Sequence, residues 1–359
     1  MAQEGNGHAN TQHHAKIPKP ILWIKNRLDS ACMRGVEPQY IKIPEETWAV
    51  ELRTTIGSAM MKMDTEWNFL DEHLEFSAKT DNGLAKAVGI KLSYRNTGVM
   101  LSKVFGKKSG TSFSINSATS RYGINFALKK YKSGTPEITI KAKLDGETTT
   151  EKGEEEMQTP ISVSTQFLDA YYIFNNKHFS YVAANKPSHI QVKSAGSIIA
   201  GAMYYHAKTE FISNNLVNLY LTSIMHDIGK VKITQASIGA GYAYNWVPAR
   251  GWLVSALVMP MATLYNRAKF YKYYSEATDI LAEEFAEDPE LKYDYESRGY
   301  EKTNNKVLIN FDARMSIVYN YKNYFCMLRG TFNRFNYGRS NYKGYMADWS
   351  TLLSLGYRF

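Results

Sequence analysis

The sequence lacks any long uninterrupted apolar segment, and this lack excludes transmembrane helices. No run of about 18–20 apolar residues occurs in the chain, and the mean hydropathy is −0.38. Such a low value is still compatible with a transmembrane β-barrel, because a barrel strand carries its apolar residues at every second position. The opening stretch, "MAQEGNGHANTQHHAKIPKP", also lacks the apolar core of a secretory signal. We therefore do not expect this chain to be a secretory precursor.

Cysteine is also scarce, since Cys32 and Cys326 are the only two in the chain. They lie far apart, and neither has the close, patterned neighbours of a disulfide framework or a metal site. We expect two unrelated packed thiols. The sequence predicts no catalytic, cofactor-binding or metal-binding residues and no cofactor.

Dense basic runs are absent, although basic residues outnumber acidic ones. The chain has 43 Lys and Arg against 34 Asp and Glu, which gives a net charge of +9. These residues are scattered, and no signature of a nucleic-acid-binding motif accompanies them. The sequence therefore predicts no nucleic-acid partner.

What the sequence does contain is a long alternation of apolar and polar residues. In "VLINFDARMSIVYNY", residues 307–321, one parity is apolar and the other carries Asn310, Asp312 and Arg314. Successive side chains of a strand point to opposite faces, so this run predicts a strand with one apolar and one charged face. It is longer than the typical strand of about 5–6 residues. Similar runs predict roughly twelve strands, at 48–56, 73–79, 86–95, 97–106, 111–132, 164–175, 194–208, 232–246, 251–266, 307–321, 324–335 and 348–359.

The stretch 111–132 changes parity in its middle. Phe113 and Ile115 share one parity, whereas Tyr122 and Ile124 share the other. A β-bulge near residues 118–121 would restore the facing, because one extra residue shifts the alternation. A hairpin at the same place is the alternative.

The predicted connections differ in length between the two ends of the assembly. The short joins are "TDNGL", "GKKSG", "PARG" and "YKN", with 176–193 as the exception. The long segments 133–160, 209–230 and 267–304 all fall at the other end. Outer-membrane barrels have this asymmetry, with short periplasmic turns and longer extracellular loops. We therefore predict a closed antiparallel barrel in the bacterial outer membrane, with both termini on the periplasmic side and strand 48–56 paired with 349–359.

The last strand supports this prediction. In "DWSTLLSLGYRF", Leu353, Leu355, Tyr357 and the final Phe359 share one parity. A strand that closes a barrel needs a continuous apolar outer face. The ending resembles the insertion signal of bacterial outer-membrane proteins.

Two long segments carry a family resemblance. "YYIFNNKHFSYVAANKPSHIQVKSAGSIIAG" and "GAGYAYNWVPARGWLVSALVMPM" resemble the outer-membrane β-barrel family known as domain-of-unknown-function family 4421, found mainly in the Bacteroidetes group. A weaker similarity extends over about residues 35–359 and includes "GIKLSYRNTGVML". The resemblance implies a barrel and a Gram-negative outer-membrane location, but no activity and no functional residues.

Three regions follow from these patterns. We predict that residues 1–18 form a disordered leader, that residues 19–45 form a helix and a lead-in segment, and that residues 46–359 form the barrel. The helix prediction rests on the spacing of Ile21, Ile24, Leu28 and Ala31. Two acidic loops, 145–156 and 276–290, are expected to be solvated. The alternative is that divalent cations bridge these loops to lipid headgroups. The apolar residues of the second loop recur at roughly helical spacing.

One motif resembles part of an enzyme's metal site. "HDIGK", at His226–Lys230, matches the His-Asp pair of metal-dependent phosphohydrolases. Metal catalysis needs at least three protein ligands and an open coordination position, and "HDIGK" supplies two ligands at most. We expect a loop that runs into the next strand and predict that the protein is not an enzyme.

The side chains that are expected to face the lumen indicate what fills it. Gly239, Gly241 and Ala243 would leave room for a bulky occupant, and the segment 176–193 is the candidate for a partial plug. The mixed inward charges favour an internal salt-bridge network over a selective pore, which would carry a ring of one sign. We therefore expect a structural or partner-binding barrel with a largely filled lumen. A narrow channel or transporter for a small solute is the alternative. The expected partners are outer-membrane lipids and a periplasmic or surface protein. The inward charges are Glu51, Arg53, Lys91, Arg95, Asp169, Asp312, Arg314 and Arg329.

Overall fold

The computed structural model describes residues 19–69, 72–81, 84–105, 109–132, 137–144, 147–154, 162–210, 228–273, 297–304, 307–338 and 342–359. The helix in this part of the chain is neither long nor apolar enough to cross a bilayer. The elements are α1 (Lys19–Met33), β1 (Ile41–Lys42), β2 (Trp48–Phe69), β3 (Glu72–Asp81), β4 (Ala85–Tyr94), β5 (Thr97–Phe105), β6 (Ser109–Ala118), β7 (Tyr122–Lys132), β8 (Glu137–Leu144), β9 (Glu147–Glu154), β10 (Ser162–Ile173), β11 (Ile190–Gln191), β12 (Ala195–Glu210), β13 (Ile228–Trp246), β14 (Trp252–Tyr273), β15 (Ser297–Asn304), β16 (Leu308–Tyr321), β17 (Tyr324–Gly338) and β18 (Tyr342–Arg358).

Twelve of these strands form a closed antiparallel barrel. The last strand, β18, pairs with β2 and closes the sheet, with Leu355 opposite Leu52. At the end of the seam the amide of Trp48 donates to the carbonyl of Phe359 at 3.1 Å. The predicted barrel and its first-to-last pairing are therefore confirmed. The barrel strands are β2, β4, β5, β6, β7, β10, β12, β13, β14, β16, β17 and β18.

Two of the predicted strands were assigned wrongly, and the errors cancel in the count. Strand β3, which covers 73–79, is no separate barrel strand, because β2 is 22 residues long and pairs with both β3 and β4. The stretch 111–132 is a hairpin of β6 and β7, so the predicted bulge is wrong and the alternative is confirmed. The Thr119 hydroxyl forms the turn by accepting the amides of Arg121 and Tyr122 at 3.1 and 3.0 Å.

The corrected strands move two short joins to the other end of the barrel. We call the end with Trp48 and Phe359 the terminal end and the opposite one the loop end. "TDNGL" and "GKKSG" connect strands at the loop end, which corrects the prediction, whereas the turns at 95–96 and 119–121 lie at the terminal end. The three long segments all join strands at the loop end, as predicted.

Part of the loop end is an extension of the sheet. Strand β3 pairs with β8, and β8 pairs with β9. Glu147–Glu154 is therefore a strand, which corrects the prediction of an acidic loop over 145–156. The predictions for residues 1–18 and 276–290 lie outside the described residues.

Side-chain exposure alternates along the barrel strands. In β16, Ile309 and Met315 are 69% and 54% exposed, whereas Asp312 is 1% exposed. The apolar parity therefore faces outward and the charged parity faces the lumen. An outward apolar band with aromatic residues at its edge is the feature that outer-membrane barrels present to lipid. At the terminal end the outward aromatic residues include Trp48, Trp246, Trp252, Tyr321, Tyr324, Tyr357 and Phe359.

The predicted helix forms, but its apolar face packs along only part of its length. Leu28 is half-buried and Cys32 is buried, whereas Ile24 is 51% exposed. The helix is held near its C-terminal end, where Asp29 accepts a hydrogen bond from the Tyr94 hydroxyl at 3.0 Å. The helical spacing predicted the helix itself but did not indicate which of its turns pack against the rest of the protein.

Candidate functional site

The connection between β10 and β12 packs against inward-facing wall residues at the terminal end of the barrel. This segment, residues 174–194, is called the plug below. Phe179 and Val182 are fully buried, and His189 is 1% exposed. The prediction that 176–193 folds inward is confirmed.

Apolar contacts hold the plug from two sides. Phe179 and Tyr181 join a buried cluster of wall residues that includes Met203, Met259 and Met261. Ala183 and Ala184 join a second cluster, with Leu253, Val318, Met327 and Leu352 of the wall. Burial of both clusters resists displacement of the plug, because apolar area removed from water stabilises a fold.

Polar contacts attach the plug to strands around the barrel. The Arg314 Nη1 of β16 donates to the Tyr181 hydroxyl at 2.8 Å, and the Arg329 Nη1 of β17 donates to Asn185 Oδ1 at 3.3 Å. Arg358 of β18 donates from Nε to the carbonyl of Pro187 at 2.7 Å. Asn245 of β13 donates to the carbonyl of Ser180 at 2.9 Å, and the plug's Lys186 donates to the carbonyl of Asn96 at 2.9 Å.

A charged network lies across the barrel seam. Glu51 of β2 accepts from Arg53 at 2.6 Å and from Lys91 of β4 at 2.9 Å. It also accepts from the Ser354 hydroxyl of β18 at 2.8 Å. All three charged side chains are at most 5% exposed. Buried ions need such compensation, because removal of one partner leaves an unpaired charge.

A second network links the wall to the plug. The guanidinium of Arg314 contacts Asp312 at 2.7 Å and Asp169 at 3.8 Å. Asn125 donates to the other oxygen of Asp169 at 2.8 Å. A small cavity beside Arg314, Tyr181 and Asp169 has room for roughly one water molecule. Six of the predicted inward charges therefore form ion pairs with one another, as predicted, whereas Arg329 contacts the amide of Asn185 and has no ion pair among the described residues.

Arg95 departs from this pattern. It occupies the tight turn after β4 with a φ of 50°. Its guanidinium contacts Asp29 at 3.1 Å and donates to the carbonyl of Pro44 at 2.9 Å. The prediction that Arg95 faces the lumen is wrong, because the turn directs its side chain to the N-terminal segment.

The N-terminal lead-in segment fastens the plug from below, a contact that the sequence did not predict. β1 and β11 form a two-stranded sheet in which Ile41 lies opposite Gln191. His178 Nε2 lies 2.6 Å from Glu37 Oε2. Each strand is two residues long, so no alternation marks either one.

A buried thiol of α1 contacts a buried imidazole of the plug. Cys32 Sγ lies 3.4 Å from His189 Nε2, and His189 Nδ1 lies 2.8 Å from the Ser180 hydroxyl. Burial raises the pKa of the Cys32 thiol to about 11 and lowers the pKa of the His189 imidazole to about 4. Both groups are therefore neutral near pH 7, whereas a reactive cysteine needs thiolate character and access. Cys32 and Cys326 are both free, as expected.

The inward glycines admit neighbouring side chains. A Cβ on Gly241 would lie 2.2 Å from the carbonyl of Val258 and 2.7 Å from Met259. Met259 occupies that space and packs in the cluster with Phe179. Methionines of the wall and side chains of the plug thus fill the space that the inward glycines were predicted to leave.

The "HDIGK" motif is only partly described. His226 and Asp227 lie outside the described residues, and Ile228 begins β13. In the part of the chain that the structure describes, no group of three or more His, Cys, Asp or Glu residues could hold a metal ion.

Several solved outer-membrane proteins have a similar chain path. The outer membrane protease OmpT from Escherichia coli is 8% identical with a TM-score of 0.37, covering 89% of this chain and 98% of that one. The translocator domain of autotransporter NalP from Neisseria meningitidis is 12% identical with a TM-score of 0.30, covering 95% and 96%. The P. putida toluene transporter TodX is 10% identical with a TM-score of 0.28, covering 92% and 94%.

Among curated proteins, none matches this chain. A family model described as "Domain of unknown function (DUF4421)" matches residues 27–359. The match confirms the resemblance seen in the sequence. The chain belongs to this family, and it folds as a closed twelve-stranded antiparallel β-barrel.

Proposed function

We propose that this protein is a structural or partner-binding barrel whose lumen is kept closed by the plug. The observation that carries the proposal is the attachment of the plug to the wall by hydrogen bonds from several strands. Arg314, Arg329 and Arg358 reach it from three successive strands, and Asn245 and the carbonyl of Asn96 reach it from other parts of the wall. A gate that opens readily would have fewer attachments to break.

The sign of the inward charges also supports the proposal. Glu51 pairs with Arg53 and Lys91, and Asp312 pairs with Arg314. A selective pore more naturally presents a ring of one sign to its solute. Compensated charges favour a packed interior.

Planar-bilayer conductance separates this proposal from a narrow channel. We expect the wild-type barrel to be silent, whereas a variant in which residues 176–193 are replaced by a short Gly-Ser linker should pass ions. A control variant with the linker substituted for 248–250, a terminal-end turn, should stay silent. Steady solute-selective conductance by the wild type would support the channel instead.

We further propose that the protein is not a hydrolase. The "HDIGK" motif offers two metal-ligating side chains at most, and catalytic zinc sites use three protein ligands. Phosphodiesterase or phosphatase turnover by the purified protein with added Mn²⁺ or Mg²⁺ tests this. Activity that both His226→Ala and Asp227→Ala abolish would contradict the proposal.

A further inference from the structure

A row of lysines crosses four neighbouring strands near the loop end. The register places Lys208 of β12 opposite Lys232 of β13, and Lys232 opposite Lys269 of β14. The next position of the row is Lys302 of β15, opposite Lys269. Like charges directly opposite in a sheet are destabilising. An anion on the same surface would offset that cost.

The side chains of Lys208, Lys232 and Lys269 point away from the lumen. Side chains alternate along a strand, so a residue between two buried, inward-facing neighbours faces outward. The same argument applies to Lys230 and Arg267 beside the row. The buried neighbours are Ala207, Thr209, Gly229, Val231, Ile233, Asn266, Ala268 and Phe270.

These five cations, Lys208, Lys230, Lys232, Arg267 and Lys269, form the basic patch. Among the described outward side chains of β12, β13 and β14 at this level, Glu210 is the one carboxylate, and it lies 2.7 Å from Lys208 and 3.5 Å from Lys230. Lys232 and Lys269 instead face tyrosine rings, at 5.0 and 4.3 Å from the ring centres. Arg267 Nε is buried and has no hydrogen-bond partner within the part of the chain that the structure describes. Among the side chains that the structure describes here, positive charge therefore exceeds negative charge.

The basic patch lies just beyond the apolar band of the barrel. A membrane-spanning strand needs about 9–11 residues. Counted along β13 from Trp246 at the terminal end, that span ends near residues 236–238, and Lys232 lies a few residues further. On the band side of the patch, Tyr204, Ile238 and Tyr265 are exposed. Cations thus stand above an apolar surface at headgroup height.

We propose that the basic patch binds the phosphorylated headgroup of an outer-leaflet lipid. The phosphates would lie among Lys208, Lys232, Arg267 and Lys269. Hydrogen bonds from these cations to phosphate are charge-assisted and therefore stronger than hydrogen bonds between neutral groups. The acyl chains would lie along the apolar surface below, beside Ile238 and Tyr265. A soluble anion would use only the cations, whereas a phosphorylated lipid uses both parts of this surface.

The test measures binding of diphosphoryl lipid A to the full chain in neutral detergent micelles. The test variant carries Lys208→Gln, Lys232→Gln and Lys269→Gln. The matched control carries Lys86→Gln, Lys103→Gln and Lys130→Gln, which remove the same charge from exposed positions near the loop end. In the control set each lysine lies opposite an uncharged residue, such as Phe105, Val88 or Thr111.

We expect the test variant to bind the lipid at least about tenfold more weakly than the wild type, because charge-assisted contacts of this kind are lost. The control should bind like the wild type. In lipid-free micelles the test variant should also melt at a higher temperature than the wild type, because the opposed charges are gone.

Three outcomes would overturn the proposal. One is equal weakening in the test and control variants, which would indicate general charge attraction. Another is full binding by the test variant. The third is thermal protection of the wild type by inorganic phosphate equal to that by the lipid, which would indicate a free-anion site. If the triple variant does not fold, Lys232→Gln alone carries the same expectations.

Discussion

Arg314 on the barrel wall donates a hydrogen bond to the hydroxyl of Tyr181 on the plug, at 2.8 Å. The same guanidinium contacts Asp312 of its own strand at 2.7 Å. One side chain therefore joins the charge network of the wall to the plug. Hydrogen bonds that involve a charged group are stronger than neutral ones, so this contact contributes to the attachment of the plug.

Tyr181→Phe tests this link with a minimal change. Loss of a hydrogen bond to a charged group should lower the free energy of unfolding by about 1.5–3 kcal/mol. Tyr319→Phe makes the same chemical change on the outward face and should shift it by at most about 0.5 kcal/mol. Urea unfolding of both variants in lipid vesicles measures the difference, and equal effects would contradict the assigned role of Tyr181.

Charge on the outward parity should prevent membrane insertion. Phe311→Arg or Ile317→Arg would place a cation against lipid, at a cost of roughly 2–4 kcal/mol near the midplane. Arg314→Ala removes a cation from the lumen and should still insert, although it loosens the contact with Tyr181. Heat-modifiable migration of the three variants after folding into vesicles is the readout. Similar insertion by all three would show that the facing is wrong.

Acid should loosen the plug through His189. Burial lowers the pKa of this imidazole from 6.5 to about 4. The unfolded chain therefore gains a proton below about pH 6.5, whereas the folded chain gains it only near pH 4. The contribution to stability is fully present above pH 6.5 and declines as the pH falls to 4, by on the order of 3 kcal/mol.

Hydrogen exchange of the plug amides between pH 7 and 4, corrected for intrinsic rates, checks this expectation. His189→Gln should remove the decline in protection. His178→Gln, a half-exposed histidine of the same segment, should retain it. A decline that survives in His189→Gln would assign the pH dependence to another group.

Cys32 should be inert in the folded protein. Its thiol is fully buried, and burial raises its pKa to about 11, so little thiolate forms at pH 8. In a Cys326→Ala variant, a water-soluble maleimide should label Cys32 only after unfolding. Rapid labelling of the native variant would show that the terminal end is open.

Much of the barrel could be predicted from period-two alternation. The facing of Asp312 and Met315 follows from their parity, because a strand leaves each side chain only two directions. The pairing of β2 with β18 follows from closure, since an unpaired edge in lipid would leave backbone groups unsatisfied. Both inferences depend on repetitive geometry that the sequence displays directly.

The remaining features depend on long-range or very local contacts. A long strand that pairs with two shorter ones, as β2 does with β3 and β4, has no distinct pattern in either partner. The hairpin at Thr119 depends on one hydroxyl that caps a turn. The polar cluster "NSATS" before Arg121 was a usable turn signal. The pairing of Ile41 with Gln191 joins two-residue strands that are far apart in the chain, where alternation carries no information.

Accessibility of a cysteine at position 183 tests the closed lumen most directly. Ala183 of the plug is 2% exposed and packs against the wall, whereas Lys177 is exposed in the same segment. In a background with Cys32→Ser and Cys326→Ser, Ala183→Cys and Lys177→Cys are compared in vesicles with a small membrane-impermeant maleimide, applied from each side. If the plug closes the lumen, Lys177→Cys is labelled from the terminal side and Ala183→Cys is labelled from neither side. Labelling of Ala183→Cys from the loop side at a rate near that of Lys177→Cys would contradict this closure.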